Sequence, residues 1–176
     1  MRCYLPALLF ATAIGSAADE PVKPGKIEVV SKDGKYTVNF PAKPKATTNK
    51  IPIGDKEVEI FSQTAEFDGC AFVVAFNDYP EGFLDPKPQT VLENVRNGNV
   101  GESGKVIEET TGKFGPDKLP MREFTFSKDK VFYRNRLVLD GDRLYQVMVV
   151  AEKEKDLTTA VADKLFDSFI LDKKKK

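Results

Sequence analysis

The 176-residue sequence contains no histidine. That excludes Ser-His-Asp and Cys-His catalytic arrangements, together with any zinc site that uses imidazole. Cysteine is almost as scarce, with only Cys3 and Cys70. One thiol in the body of the chain rules out thiolate clusters, CxxC redox chemistry and an internal disulfide. Net charge is also missing: 27 basic residues balance 27 acidic ones. A neutral chain is not an electrostatic nucleic-acid binder. No internal repeat is visible, and no apolar run reaches the roughly 20 residues a membrane-spanning helix needs.

The longest apolar run, Tyr4 to Ile14, is short and interrupted by Pro6. Arg2 precedes it and Gly15-Ser16-Ala17-Ala18 follows, the layout of a secretory signal peptide with small residues at the cleavage site. Residues 1–18 are therefore expected to be removed, and the mature protein to be periplasmic or secreted with no membrane span. Residues 19–33 read as a polar, Pro-containing lead-in with a first short strand at Ile27–Val30. Residues 34–171 read as one domain, and residues 172–176 as a charged, lysine-rich tail.

The chain is organised around Val131 to Ile170. Asp140-Gly141-Asp142 separates two runs rich in Val, Leu, Tyr and Phe, a strong hairpin signal that suggests a type I′ turn. A two-residue loop puts Arg134, Arg136, Val138, Tyr145, Val147 and Val149 on one face. Asn135, Leu137, Leu144, Gln146 and Met148 then fall on the other. The period next changes to helical, with Leu157, Val161, Leu165 and Phe169 on one stripe beside Ala162, Phe166 and Ile170. Asp156 is the expected N-cap, and the helix is expected to fray from Ser168 to Leu171.

Further strands read at Tyr36–Phe40, Glu57–Glu66, Cys70–Asn77, Lys105–Phe114 and Lys118–Ser127. A short helix reads at Thr90–Arg96. Ala42–Asn49 and Asn97–Gly104 read as loops. CAFVVAF (residues 70–76) is apolar on both faces, so it is expected to be a central, doubly covered strand with Cys70 as a buried structural thiol.

Few constellations carry chemistry. GNVGESGK (residues 98–105) fails the phosphate-loop pattern, because Asn99 stands where its first glycine is needed and Val106 where Ser or Thr is needed. Asp140 and Asp142 fall short of the six oxygens calcium takes, and the turn already explains them. Glu108-Glu109 and Glu57/Glu59 read as solvent-facing strand acids. No metal or cofactor is expected. Arg122, Arg134, Arg136 and Tyr145 are the candidate binding residues. Arginine and tyrosine are enriched at interface hot spots, although arginine stems that cover apolar surface and pair with acids are the commoner arrangement.

Three spans together, Tyr36-Thr-Val-Asn-Phe-Pro with Lys43-Pro44-Lys45, then Arg122-Glu123-Phe124, then Arg143-Leu-Tyr-Gln-Val with Phe166-Asp-Ser-Phe, resemble the PsbP-like superfamily. The likeness is to small exported bacterial proteins related in pattern to the photosystem II extrinsic proteins. Pro120-Met121-Arg122-Glu123 departs from the Pro-Gly-Arg-Glu such proteins often show. The resemblance implies an α+β fold, an antiparallel sheet of about six to seven strands flanked by helices as an α/β/α sandwich. It also implies a non-catalytic role in binding or assembling other proteins. The expectation is thus a monomeric, exported interaction module with an unidentified protein partner, and the alternative is a carrier for a small apolar ligand held between sheet and helix.

Overall fold

The computed structural model describes residues 25–53 and 56–172. The expected leader, the first part of the lead-in and the last four lysines lie outside the described residues. In chain order the elements are β1 (Ile27–Ser31), β2 (Tyr36–Phe40), β3 (Lys45–Ile53), β4 (Lys56–Phe67), β5 (Cys70–Asp78) and α1 (Pro88–Val100). Then come β6 (Lys105–Phe114), β7 (Leu119–Lys128), β8 (Val131–Asp140) and β9 (Arg143–Ala151). A 3₁₀ turn (Glu154–Thr158), α2 (Ala160–Ser168) and β10 (Ile170–Leu171) complete the set.

The strands form two antiparallel sheets. The larger has the order β3-β4-β5-β9-β8-β7-β6, and the smaller the order β1-β2-β10. After the β3-β4-β5 meander the chain leaves through α1 and re-enters at the opposite edge. It then meanders back until β9 pairs with β5 along its full length. β5 is consequently central and buried on both faces, as its apolar sequence requires.

Alternation along the strands divides the core in two. On one face Phe72, Val74, Phe76, Val138, Tyr145, Val147 and Val149 pack against the small sheet and against Leu157, Ala162, Leu165, Phe166 and Phe169. On the other, Phe124, Phe126, Leu137, Leu139 and Leu144 pack against Val91, Leu92, Val95 and Val100 of α1. The β8–β9 register, Asp140 opposite Arg143, gives the two faces read from the sequence. Only Gly141 in the two-residue loop has positive φ (62°), so the turn has the II′ pattern with glycine first, not the I′ pattern.

Other boundaries differ for physical reasons. Residues 45–49 were expected in a loop but lie in β3, an edge strand whose first six residues are exposed on both faces and therefore carry no alternating signal. The lead-in is structured from β1, which pairs with β2. α1 runs on through Asn97-Gly98-Asn99, because Val100 is buried on its core side, and it stops at Gly101 with φ 66°. The last helix is capped by Thr159, whose side chain accepts a hydrogen bond from Ala162 N–H, and not by Asp156. Its end does not fray: Ile170–Leu171 pairs with Thr37 and Tyr36, which leaves Ile170 exposed and Phe169 buried.

Candidate binding site

The four predicted residues do not form one surface. Arg122 points to the α1 face, where it is 8% exposed and donates to Glu109 Oε1. Arg96 of α1 donates to the same oxygen at 3.1 Å. Tyr145 is 2% exposed and packs edge-on against Tyr36 and Phe169 on the opposite face. Burial raises its hydroxyl pKa above the usual range.

Arg134 and Arg136 share that second face, but they bind the protein's own groups. Arg134 Nε donates to Glu123 Oε1 at 3.0 Å, and its Nη1 to Asp163 Oδ1 at 2.6 Å and to the Leu157 carbonyl at 3.4 Å. Arg136 Nε donates to Glu123 Oε2 at 2.8 Å, and its Nη1 to the Phe166 carbonyl at 2.8 Å. Both guanidinium groups also lie over the Phe166 ring, at 4.3 and 5.1 Å from its centre. The structure thus places the four expected residues apart: Arg122 and Tyr145 are interior, and Arg134 and Arg136 clamp α2 onto the sheet. Their cross-strand neighbours on the same face, Val149 opposite Arg134 and Val147 opposite Arg136, are core residues, so the stems cover apolar surface while the heads meet internal acids.

A second clamp lies at the hairpin tip. Arg143 makes two 2.6 Å hydrogen bonds to the Asp78 carboxylate and one of 2.7 Å to the Asp33 carbonyl in the β1–β2 turn. The hydrogen bonds from Arg143 hold the Asp78 carboxyl below the usual carboxylate range, with burial opposing and the charges of Arg143 and Lys35 adding. Cys70 is buried among the residues of the first core, and burial, helped by Asp156 and Asp68, pushes its thiol up to about 11. It stays a protonated thiol at neutral pH, unsuited to nucleophilic work.

The cleft that the molecule does offer was missed from the sequence. A cavity of about 420 Å³ opens between the end of β2 and α2, lined by Asn39, Phe40 and Pro41 on one side and Val161, Lys164 and Ser168 on the other. Lys26 and Asp167 stand at its rim. Asn39 N–H donates to Ser168 Oγ at 2.9 Å, which ties the two walls together. Asn39 Oδ1 is buried without a hydrogen-bond partner. The signal that could have found this site was weak: Pro41 ends a strand whose edge is covered by β10 only at Tyr36 and Thr37.

No protein-family model matches the chain, and no curated protein does. Among solved structures the chain is similar to cyanobacterial PsbP (CyanoP) from Synechocystis sp. PCC 6803, with a TM-score of 0.55 and 10% identity. That match covers 90% of this chain and 98% of the other. A protein of unknown function from Pseudomonas aeruginosa aligns with a TM-score of 0.38 and 11% identity, over 62% of this chain and 85% of its own. The first likeness gives this chain a PsbP-like fold, which among the described residues is a mixed α+β arrangement of two α-helices with a seven-stranded and a three-stranded antiparallel sheet.

Proposed function

We propose that the protein is an exported, non-catalytic interaction module that holds a short segment of a partner protein in the cleft between β2 and α2. The cleft is the observation that carries this reading. Its floor is apolar, from Phe40, Pro41 and Val161, and its two lining lysines, Lys26 and Lys164, outnumber Asp167. An extended segment with one apolar side chain and an acidic neighbour fits that chemistry. The framing layers are read as an α/β/α sandwich, with α2 as the wall of the cleft. Arg134 and Arg136 then serve binding by seating α2, without touching the partner.

The non-catalytic reading rests on the missing histidine and on a single thiol held protonated by burial. Export rests on the leader-like residues 1–18, and the match to the PsbP-like fold is compatible with both. A second reading, a carrier for a small apolar molecule, is favoured by the cleft volume, which lies in the range of about 300–1,000 Å³ typical of small-ligand sites. Mass spectrometry of the protein extracted from its native compartment separates the two. A stoichiometric apolar small molecule supports the carrier. Copurified protein that is lost in the Lys26→Glu/Lys164→Glu variant supports the module.

A further inference from the structure

The opposite face of the large sheet carries an unrelated feature. Eight buried side-chain polar atoms among the described residues have no hydrogen-bond partner, and five of them lie where α1 meets the sheet. They are Gln89 Oε1 and Asn99 Nδ2 from the helix, with Arg122 Nε and both amide atoms of Asn135 from the strands. Asn135 is 0% exposed, and it faces α1 between the core residues Phe124 and Leu137. Arg122 pairs with Leu137 and Asn135 with Phe124, so the two polar groups are diagonal neighbours on one face. Asn99 continues the buried helical stripe of Leu92 and Val95. A polar seam therefore runs through an otherwise apolar interface.

The helix above that seam is weak by itself. Lys87 at its start makes no side-chain cap, its first turn has no acid and its last turn no base. Asn97-Gly98-Asn99 are poor helix formers. Its supports come from the sheet: Arg96 donates to Glu109 on β6, and the Lys128 ammonium lies beside Gly101 at the C-terminal end. Buried amide atoms without partners favour any state in which water reaches them, because desolvation without compensation is costly.

We propose that α1 is a detachable cover, which lifts from β7 and β8 as a unit while the two sheets stay folded. The Arg96–Glu109 pair latches it, and the buried Asn135 amide works against the latch. Opening hydrates the seam and uncovers the apolar strip of Phe124, Leu137 and Leu139. The α2 side differs: it leaves one orphaned side-chain atom, Asn39 Oδ1, against the five beneath α1, and its arginine clamp bonds both guanidinium groups to acids and carbonyls.

Native-state hydrogen–deuterium exchange on the full chain tests this, with the Asn135→Leu and Arg96→Ala variants alongside. The α1 amides should exchange through one shared opening, faster than those of β8 and β9. Asn135→Leu should slow α1 exchange about tenfold or more, the effect of relieving one buried unsatisfied amide. Arg96→Ala should speed it while β8 and β9 stay protected. Should Asn135→Leu not fold, the wild type and Arg96→Ala decide the matter. An α1 as protected as β8 and β9 overturns the proposal. So does α1 exchange that Asn135→Leu leaves unchanged or speeds, or that Arg96→Ala leaves unchanged.

Discussion

Truncating Arg134 and Arg136 together should unfold the protein early, although arginines on a strand face invite the opposite expectation. Glu123 accepts from both guanidinium groups, one on each carboxylate oxygen, and the three side chains are 18%, 15% and 19% exposed. Arg134→Ala/Arg136→Ala leaves that carboxylate mostly buried with no cation. It also leaves the carbonyls of Leu157 and Phe166 without the guanidinium donors and strips two cations from the Phe166 ring. Removing one side of a fully buried pair costs about 3–5 kcal/mol. With roughly a fifth of each group in water, the lower end, about 3 kcal/mol, is the better figure after screening is allowed for. For a chain of this size that corresponds to a drop in Tm of roughly 6–12 °C. Denaturant melts of the wild type, the double variant and Glu123→Gln provide the assay. The double variant and Glu123→Gln should show non-additive losses, since they share the same interactions. A double variant within about 0.5 kcal/mol of wild type, as for free surface residues, would refute the clamp and return these arginines to the pool of binding residues.

Other consequences are open to direct measurement. Cys70 should react with thiol reagents slowly in the native state and rapidly once denatured, because its thiol is both buried and raised to about 11; fast native labelling overturns its structural assignment. Asp78 titrates below the usual aspartate value of about 3.9, so its pairing with Arg143 stabilises the fold above that pH. The contribution is lost as pH falls through the lower folded value. Melts in acid should therefore show a stability loss that is smaller in Asp78→Asn, and equal acid slopes contradict the pairing. N-terminal sequencing of exported protein should begin at or near Asp19, whereas Met1 retained in a membrane fraction contradicts cleavage.

The sequence made the β8–β9 hairpin legible because strong local signals agree there: period-two alternation, an Asp-Gly turn and then a switch to helical period. β5 was legible for a similar reason, since a strand apolar on both faces has few places other than the centre of a sheet. β3 was not, because its first six residues are exposed on both faces and carry no alternation, and its lysines resemble a loop. The end of α1 was hidden in the same way: Asn-Gly-Asn argues for a stop, and only packing of Val100 carries the helix past it. The candidate site fared worse. Whether an arginine faces water or an internal acid depends on pairing between strands and helix, and Glu123, Asp163 and Arg134 meet only when β7, β8 and α2 are assembled. The cleft beside Asn39 likewise exists only once α2 lies against the end of β2.

The most direct test of the binding reading is an exchange footprint of the partner-bound protein, recorded on the mature chain with its exported-compartment partner and again with Lys26→Glu/Lys164→Glu. Both lysines line the cleft and are exposed, so the variant should melt with wild type. Protection on binding should concentrate at residues 39–41 and 161–168 and disappear with capture in the variant. Capture that survives the double charge reversal, or a footprint elsewhere on the molecule, contradicts the claim that this cleft is the docking site.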